Sequence, residues 1–368
     1  MTVEERDQTA FHSLAARLEV LFGQGPDQAW TDEEFGALAL EVFEVQFTSN
    51  VVYRGFCEGR GVTSASVDDW RQIPAVPTRA FKHLGLLSAS PAEATFQTSG
   101  TTSDLGLRGR HLIPRVSLYE ASLLPCFSAH LMPEGKSLRF ISLIPDPEHA
   151  RDSSLSYMVG AAARRFASRT DYVVDGSGVV DHGVLAAAVA DAQAAAEAVL
   201  MLGTAFAFMN VMEHSDVCLG PLPQGSRIME TGGFKGRGRA VPRDELYEAM
   251  SRATSVPVER IVNEYGMTEL LSQLYEPVLT GESLGCGHIA PPWLQVRAVD
   301  PTTLRELPEG EAGLLTFFDL ANAGSVAHIL TEDFGAVRDG RVFLEGRAAG
   351  AEPRGCSRAM DELMAVAR

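Results

Sequence analysis

A chain of 368 residues can build one large α/β body with a smaller unit appended, and 45% hydrophobic with 21% charged residues excludes the disordered class. A formal net charge of −17 removes the broad positive field on which nucleic acid or anionic membrane binding relies. No nucleic acid partner is expected, and any phosphate must be held by local groups. The acidic start, Met1 to Asp7, is not followed by the apolar core of a signal peptide, and no apolar run reaches the roughly 20 residues of a membrane span. Five widely spaced cysteines (Cys57, Cys126, Cys218, Cys286 and Cys356) suit reduced thiols, so a cytoplasmic location is expected. Only Lys82, Lys136 and Lys235 are lysines, and none follows Lys235.

Residues 1 to about 60 read as helical. Thr31 with Glu34 three residues on has the form of a capping box, and Phe35, Leu38, Val42 and Phe43 then recur at helical spacing. The run Pro74-Ala75-Val76-Pro77 breaks that pattern. A short strand over Ala94–Gln97 leads into Thr98-Ser99-Gly100-Thr101-Thr102-Ser103, a loop dense in hydroxyls around one glycine. Such a loop offers short donors and backbone N–H groups to a polyphosphate, and no Gly-Lys-Ser/Thr follows it at the spacing of the lysine-bearing nucleotide loop.

A helix is expected over Val116–Phe127, a strand over Ser137–Ile144 and an alanine-rich helix over Val184–Leu200. His214 reads as the end of a helix, and Ser226–Glu230 as a strand ending in Thr231-Gly232-Gly233. The segment Asn263-Glu264-Tyr265-Gly266-Met267-Thr268-Glu269 offers a ring for a purine face, a glycine for close approach and a carboxylate for Mg²⁺. Its plainer reading is a turn before a helix over Glu269–Leu274. Cys286 and His288 form a Cys-x-His pair, read as structural because no second pair of ligands accompanies it. Beyond Gly285, β-prone segments at Leu294–Val299, Gly313–Asp319, Ala327–Leu330 and Arg341–Leu344 indicate a small β-rich unit. The expected division is an α/β body over 1–285 and a β-rich subdomain over 286–368.

The hydroxyl loop and the Tyr265–Glu269 segment, in this order, resemble the adenylate-forming superfamily of acyl-CoA synthetases and peptide-synthetase adenylation domains. The resemblance implies a large N-terminal α/β domain with mixed sheets flanked by helices, ATP and Mg²⁺ as cofactors, and Thr98 to Ser103 as the phosphate loop. Ser103 stands where that family usually has glycine. By the same likeness Tyr265, with Gly266, contacts adenine beside Gly232 and Gly233, Thr268 is catalytic and Glu269 contacts the metal. Asp333 would bind the ribose hydroxyls, and Arg347 the ribose or phosphate.

The chain is more closely similar to the acyl-protein synthetases of bacterial bioluminescence, the fatty-acid-activating subunits of a reductase complex. That similarity includes Phe35…Leu38-Ala39-Leu40…Tyr53…Cys57, Gly232-Gly233-Phe234-Lys235, Pro291-Pro292-Trp293 and Gly355-Cys356-Ser357. It implies activation of a carboxylic acid, a fatty acid by association, to acyl-AMP, with transfer to Cys356 as a thioester. It also implies an acyl-accepting reductase or carrier protein as partner. Arg354 and Arg358 flank Cys356 and would favour its thiolate. Larger superfamily members carry a mobile C-terminal domain with a catalytic lysine. That domain is expected to be largely absent here, and Lys235 becomes the candidate catalytic cation. The alternatives are a ligase passing the acyl group directly to coenzyme A, a carrier or an amine, as in phenylacetate–coenzyme A ligases, or a non-catalytic nucleotide-binding scaffold.

Overall fold

The computed structural model describes residues 3–98, 107–213, 220–232, 241–347 and 354–367. Helices α1 (Val3–Phe22), α2 (Asp32–Ser49) and α3 (Val51–Gly59) come first, then strands β1 (Val76–Pro77), β2 (Ala94–Gln97) and β3 (Arg110–Ile113). Next are α4 (Val116–Leu131), β4 (Leu138–Ser142), α5 (Ser154–Phe166), β5 (Ala167–Tyr172), α6 (His182–Ala194), β6 (Val199–Thr204) and α7 (Ala205–Glu213). They are followed by β7 (Arg227–Thr231), α8 (Arg243–Thr254), β8 (Ile261–Tyr265), β9 (Leu274–Tyr275) and β10 (His288–Ile289). The chain continues with β11 (Leu294–Val299), β12 (Gly313–Asp319), β13 (His328–Arg338), β14 (Arg341–Arg347) and α9 (Arg354–Val366). Among the described residues no helix is long and apolar enough to cross a membrane.

The fold is α/β and divides into two compact units. The first comprises Met1–Pro125, Met267–Gln273 and Ile289–Arg368; the second comprises Cys126–Gly266 and Leu274–His288. The N-terminal helices therefore share a unit with the C-terminal strands.

In the first unit β11, β12, β13 and β14 pair antiparallel in that order, and β1 adds in parallel to β13 with Val76 opposite Ile329. Asp339 and Gly340 take positive φ, 48° and 70°, which suits the tight two-residue link from β13 to β14. The Thr31 capping box is present, and α2 buries Phe35, Val42 and Phe43. Phe35, Trp70 and Phe318 meet edge to face with centroids 5.3–5.9 Å apart, fastening α2 to β12.

In the second unit β8, β7, β6, β4 and β5 run parallel, with β9 antiparallel at the β8 edge. Every residue of β4 and of β7 is buried, as expected for strands covered on both faces. Leu185 and Val189 of α6, Phe208 of α7 and Leu246 and Met250 of α8 pack on Ile141, Met201, Ile228 and Ile261.

Several sequence expectations change. The helix expected over Val184–Leu200 ends at Ala194, and Val199 and Leu200 begin β6. The turn that separates them puts Ala196 at φ 49°, and uniform alanine conceals where the helix stops. No helix forms over Glu269–Leu274; the stretch is a turn and loop leading into β9, because its backbone N–H groups bond to Asp319. Cys356, for which no secondary structure was expected, lies in the first turn of α9.

Candidate active site

In the first unit β2 and β3 form an antiparallel pair, and residues 99–106 lie between them in the chain. Thr98 and Gly109 close the base of that connection. The Thr98 N–H donates to the Gly109 carbonyl at 2.9 Å, and the Gly109 N–H donates to Thr98 Oγ1 at 2.8 Å. A Cβ on Gly109 would sit 3.0 Å from Thr98 Cγ2, so glycine permits the approach. Ser99, Gly100, Thr101, Thr102 and Ser103 lie outside the described residues, as do His214, Gly233 and Lys235.

The same strand pair reaches the second motif through His111. This fully buried ring donates from Nδ1 to the Thr268 carbonyl at 2.8 Å and stands edge-on to Phe81. Burial lowers its pKa to about 4, against the pull of the Thr268 carbonyl, so the ring is neutral at physiological pH. Next along the chain, the Glu269 carbonyl accepts from Asn322 Nδ2 at 2.8 Å. Asp319, which is also fully buried, then accepts from the Leu271 and Ser272 N–H groups at 2.9 Å, the Ser272 hydroxyl at 2.7 Å and the Ala321 N–H at 3.0 Å. Burial nevertheless pushes the Asp319 carboxyl up to about 6. Ser122 continues the chain of bonds, joining the Ser272 hydroxyl at 2.9 Å and accepting from Trp293 Nε1 at 2.8 Å. The turn that carries Thr268 and Glu269 is thus held by named side chains on both sides.

Glu269 itself is half-buried. Magnesium bound with a nucleotide commonly takes one or two carboxylates, the phosphate oxygens and water, and Glu269 is a donor of that kind. Among the described residues no group of three or more His, Cys, Asp or Glu is arranged to hold a metal ion.

Asp333 and Arg347 lie opposite each other in the β13–β14 register, and Arg347 Nε donates to Asp333 Oδ1 at 3.3 Å. The two residues expected to contact the ribose or phosphate are therefore neighbours. Cys356 lies near the same strand: its thiol donates to the Thr331 carbonyl at 3.8 Å, two residues before Asp333. It is only 2% exposed and packs with Val299, Leu314 and Leu330. Arg354 and Arg358 lie exposed on the outside of α9, where Arg358 pairs with Glu362.

In the second unit the carboxyl ends of β7 and β8 lie side by side, with Thr231 opposite Glu264 and hydrogen-bonded to it. Carboxyl ends of parallel strands are where open α/β sheets bind ligands. Gly232 follows at φ 72°, exposed, with nothing among the described residues within 4 Å of an added Cβ, and its backbone conformation calls for glycine there. Tyr265 and Gly266 end β8 half-buried. Beneath them Glu230 accepts from Asn263 Nδ2 at 2.5 Å and from the Tyr247 hydroxyl at 3.2 Å. His288 Nε2 donates to Asn263 Oδ1 at 2.7 Å, which gives the histidine of the Cys-x-His pair a structural partner. Arg243 pairs with Glu276 and donates to the Tyr247 hydroxyl at 3.1 Å.

A family model for acyl-protein synthetase, LuxE, matches residues 25–365. The chain belongs to this family. As a LuxE-family ligase it is 25% identical over 342 residues to the long-chain-fatty-acid–luciferin-component ligase of Vibrio harveyi, covering 89% of this chain and 87% of that protein. It is 23% identical over 326 residues to the ligase of that name from Aliivibrio fischeri, covering 85% and 82%. Among solved structures, 2-hydroxyisobutyryl-CoA ligase in an open conformation with 2-HIB-AMP and CoA superposes with TM-score 0.63 at 15% identity, over 86% of this chain and 69% of that one. ATP-bound MatB from Rhodopseudomonas palustris superposes with TM-score 0.50 at 15% identity, over 72% of this chain. The chain spans about half the length of that MatB structure, 49%. At these identities the structural matches establish the fold: this LuxE-family chain has the α/β fold of adenylate-forming ligases.

Three residues that position the candidate site, His111, Asp319 and Asn322, carry no motif in the sequence. The one available signal was an aspartate at the end of an otherwise apolar β-prone run, Gly313–Asp319.

Proposed function

We propose that this ligase activates a long-chain carboxylic acid with ATP and then passes the acyl group to a thiol. One observation carries the reading: the β2–β3 pair, between which the hydroxyl loop lies in the chain, is bonded through His111 to Thr268, which ties the strands bordering one family motif to the turn that carries Thr268 and Glu269 of the other. The fatty acid is suggested by the relatives, whose names specify long-chain substrates.

In this reading the loop Thr98–Ser103 and Thr268 hold the phosphates. Tyr265 with Gly232, Gly233 and Gly266 receives adenine, Asp333 accepts from the ribose hydroxyls, and Arg347 faces ribose or phosphate. Glu269 would hold a magnesium ion, which when bound would supply neutralisation of phosphate charge. The substrate carboxylate oxygen attacks the α-phosphorus in line; the α–β bridging bond breaks, and pyrophosphate leaves with that electron pair. Lys235 offsets the charge that develops. The mixed anhydride is then an acyl donor: the Cys356 thiolate attacks its carbonyl, the acyl–phosphate oxygen bond breaks and AMP departs. A reductase or carrier protein would take the acyl group from Cys356, in the cytoplasm.

A second reading follows from the burial of Cys356. A thiol 2% exposed, bonded to the Thr331 carbonyl, favours direct transfer from acyl-AMP to coenzyme A, a carrier or an amine, with Cys356 structural. One labelling experiment separates the two. With ATP, magnesium and a radiolabelled long-chain fatty acid, the protein should acquire a hydroxylamine-labile label, and Cys356→Ala should form acyl-AMP without it. Undiminished labelling of Cys356→Ala would remove Cys356 from the pathway.

A further inference from the structure

His111 and Asn322 have a feature in common that the reading above does not use. Each grips one backbone carbonyl of the turn, His111 that of Thr268 and Asn322 that of Glu269. Each also has a second polar atom that is buried and makes no hydrogen bond among the described residues, His111 Nε2 and Asn322 Oδ1. Both side chains are 0% exposed, and both line one small cavity, walled by Phe11, Ile113, Leu118 and Leu271 and with room for about one water.

The chemistry of the two atoms is defined. His111 Nδ1 carries the proton it gives to Thr268, so in the neutral ring Nε2 is a lone-pair acceptor. Asn322 Nδ2 is committed to the Glu269 and Val326 carbonyls, which fixes the amide orientation and leaves Oδ1 as a second acceptor. Two acceptors cannot satisfy each other, and leaving both buried and unmet is costly. A molecule of a water's volume with two donors has the chemistry that both atoms lack.

We propose that His111 and Asn322 are a coupled pair of positioning residues, bridged by one buried water that donates to Nε2 and to Oδ1, and that this bridge sets the backbone of Thr268 and Glu269. The proposal rests on the adenylation reading for its catalytic consequence but not for the water or the tautomer. With the bridge in place the turn presents the Thr268 hydroxyl and the Glu269 carboxylate in one arrangement. Without it the two carbonyls are held independently, and the turn gains freedom at the residues assigned to phosphate and metal.

Two measurements test this on the full chain. In the first, a high-resolution crystal structure and ¹⁵N imidazole NMR examine the pair directly. An ordered water within hydrogen-bond distance of both Nε2 and Oδ1, with His111 protonated on Nδ1 alone, is expected. A direct Nε2–Oδ1 hydrogen bond, or an Nε2-protonated ring, overturns the bridge whatever the activity. In the second, acid-dependent pyrophosphate exchange is compared for wild type, His111→Ala, His111→Asn and Asn322→Ala. His111→Ala should lower kcat by about a hundredfold with little change in KM for ATP. Asn at position 111 can still donate to Thr268 and should recover most of the loss. The double variant His111→Ala/Asn322→Ala should be no worse than about the poorer single one, as expected of residues acting as a unit. Additive losses, or a folded His111→Ala with unchanged kcat, overturn the positioning role. Wild type without exchange for any acid would count against adenylation and leave the first measurement to decide the bridge.

Discussion

Glu230 should be the residue whose neutralisation most clearly stabilises the protein at neutral and alkaline pH. It is 3% exposed, accepts from Asn263 and Tyr247, and shares its surroundings with a second carboxylate, Glu276, and one cation, Arg243. Burial pushes its carboxyl from 4.5 up to about 7, against the bonds from Asn263 and Tyr247 and the attraction of Arg243. The folded state therefore prefers the protonated form. That contribution is complete below pH 4.5 and is lost as pH rises through about 7. At 1.36 kcal/mol per pH unit, the full loss is of order 3 kcal/mol. Glutamine presents an oxygen to both donors and cannot ionise. Urea unfolding of wild type and Glu230→Gln should agree near pH 4, and the variant should draw ahead between about pH 4.5 and 7. Above that the advantage should level off at about 2–3 kcal/mol. A variant that falls behind wild type as pH rises would show that Glu230 is an anion held by its donors, and a difference that does not change with pH would show that its ionisation is not linked to folding; either result would refute the reasoning.

Other substitutions test the remaining framework. Asp319→Ala leaves three buried backbone N–H groups and the Ser272 hydroxyl without their acceptor. It should cost about 3–5 kcal/mol by chemical denaturation and abolish pyrophosphate exchange. Gly355→Ala places a Cβ 2.6 Å from Leu304 and 2.8 Å from the Pro301 carbonyl, at the point where α9 is pinned. It should loosen α9 and speed maleimide labelling of Cys356, and labelling as slow as in wild type would show that this contact does not guard the thiol. Gly232→Ala meets no neighbour among the described residues but must hold φ 72°, so it should cost about 1–2 kcal/mol through backbone strain and raise KM for ATP.

Local patterns were legible in the sequence where they are self-contained. The Thr31 capping box, the strand Ala94–Gln97 and the strand Gly313–Asp319 rest on a cap or on β-prone residues within a few positions, and they stand where expected. Elements whose ends depend on tertiary structure were not legible. The alanine-rich run gives no stop before Val199, and the loop after Glu269 is drawn out of helix by an acceptor 48 residues away. The site divides in the same way. Asp333 and Arg347 stand out as separate charges in the sequence, and only the hairpin register reveals that they are a pair. His111 and Asn322 act on backbone carbonyls 157 and 53 residues distant, a separation that no spacing rule covers. Cys356 was marked by its polar flanks, yet the helical turn points those flanks outward and the thiol inward.

The most direct test of adenylation is exchange of labelled pyrophosphate into ATP across long-chain fatty, aryl and amino acids, with Cys356→Ala assayed beside wild type. Adenylation ahead of thioester formation requires acid-dependent exchange, strongest with a long-chain fatty acid and equal in both proteins. Exchange with no acid in either protein would contradict the proposed activity, and exchange lost only in Cys356→Ala would contradict the assigned order of steps.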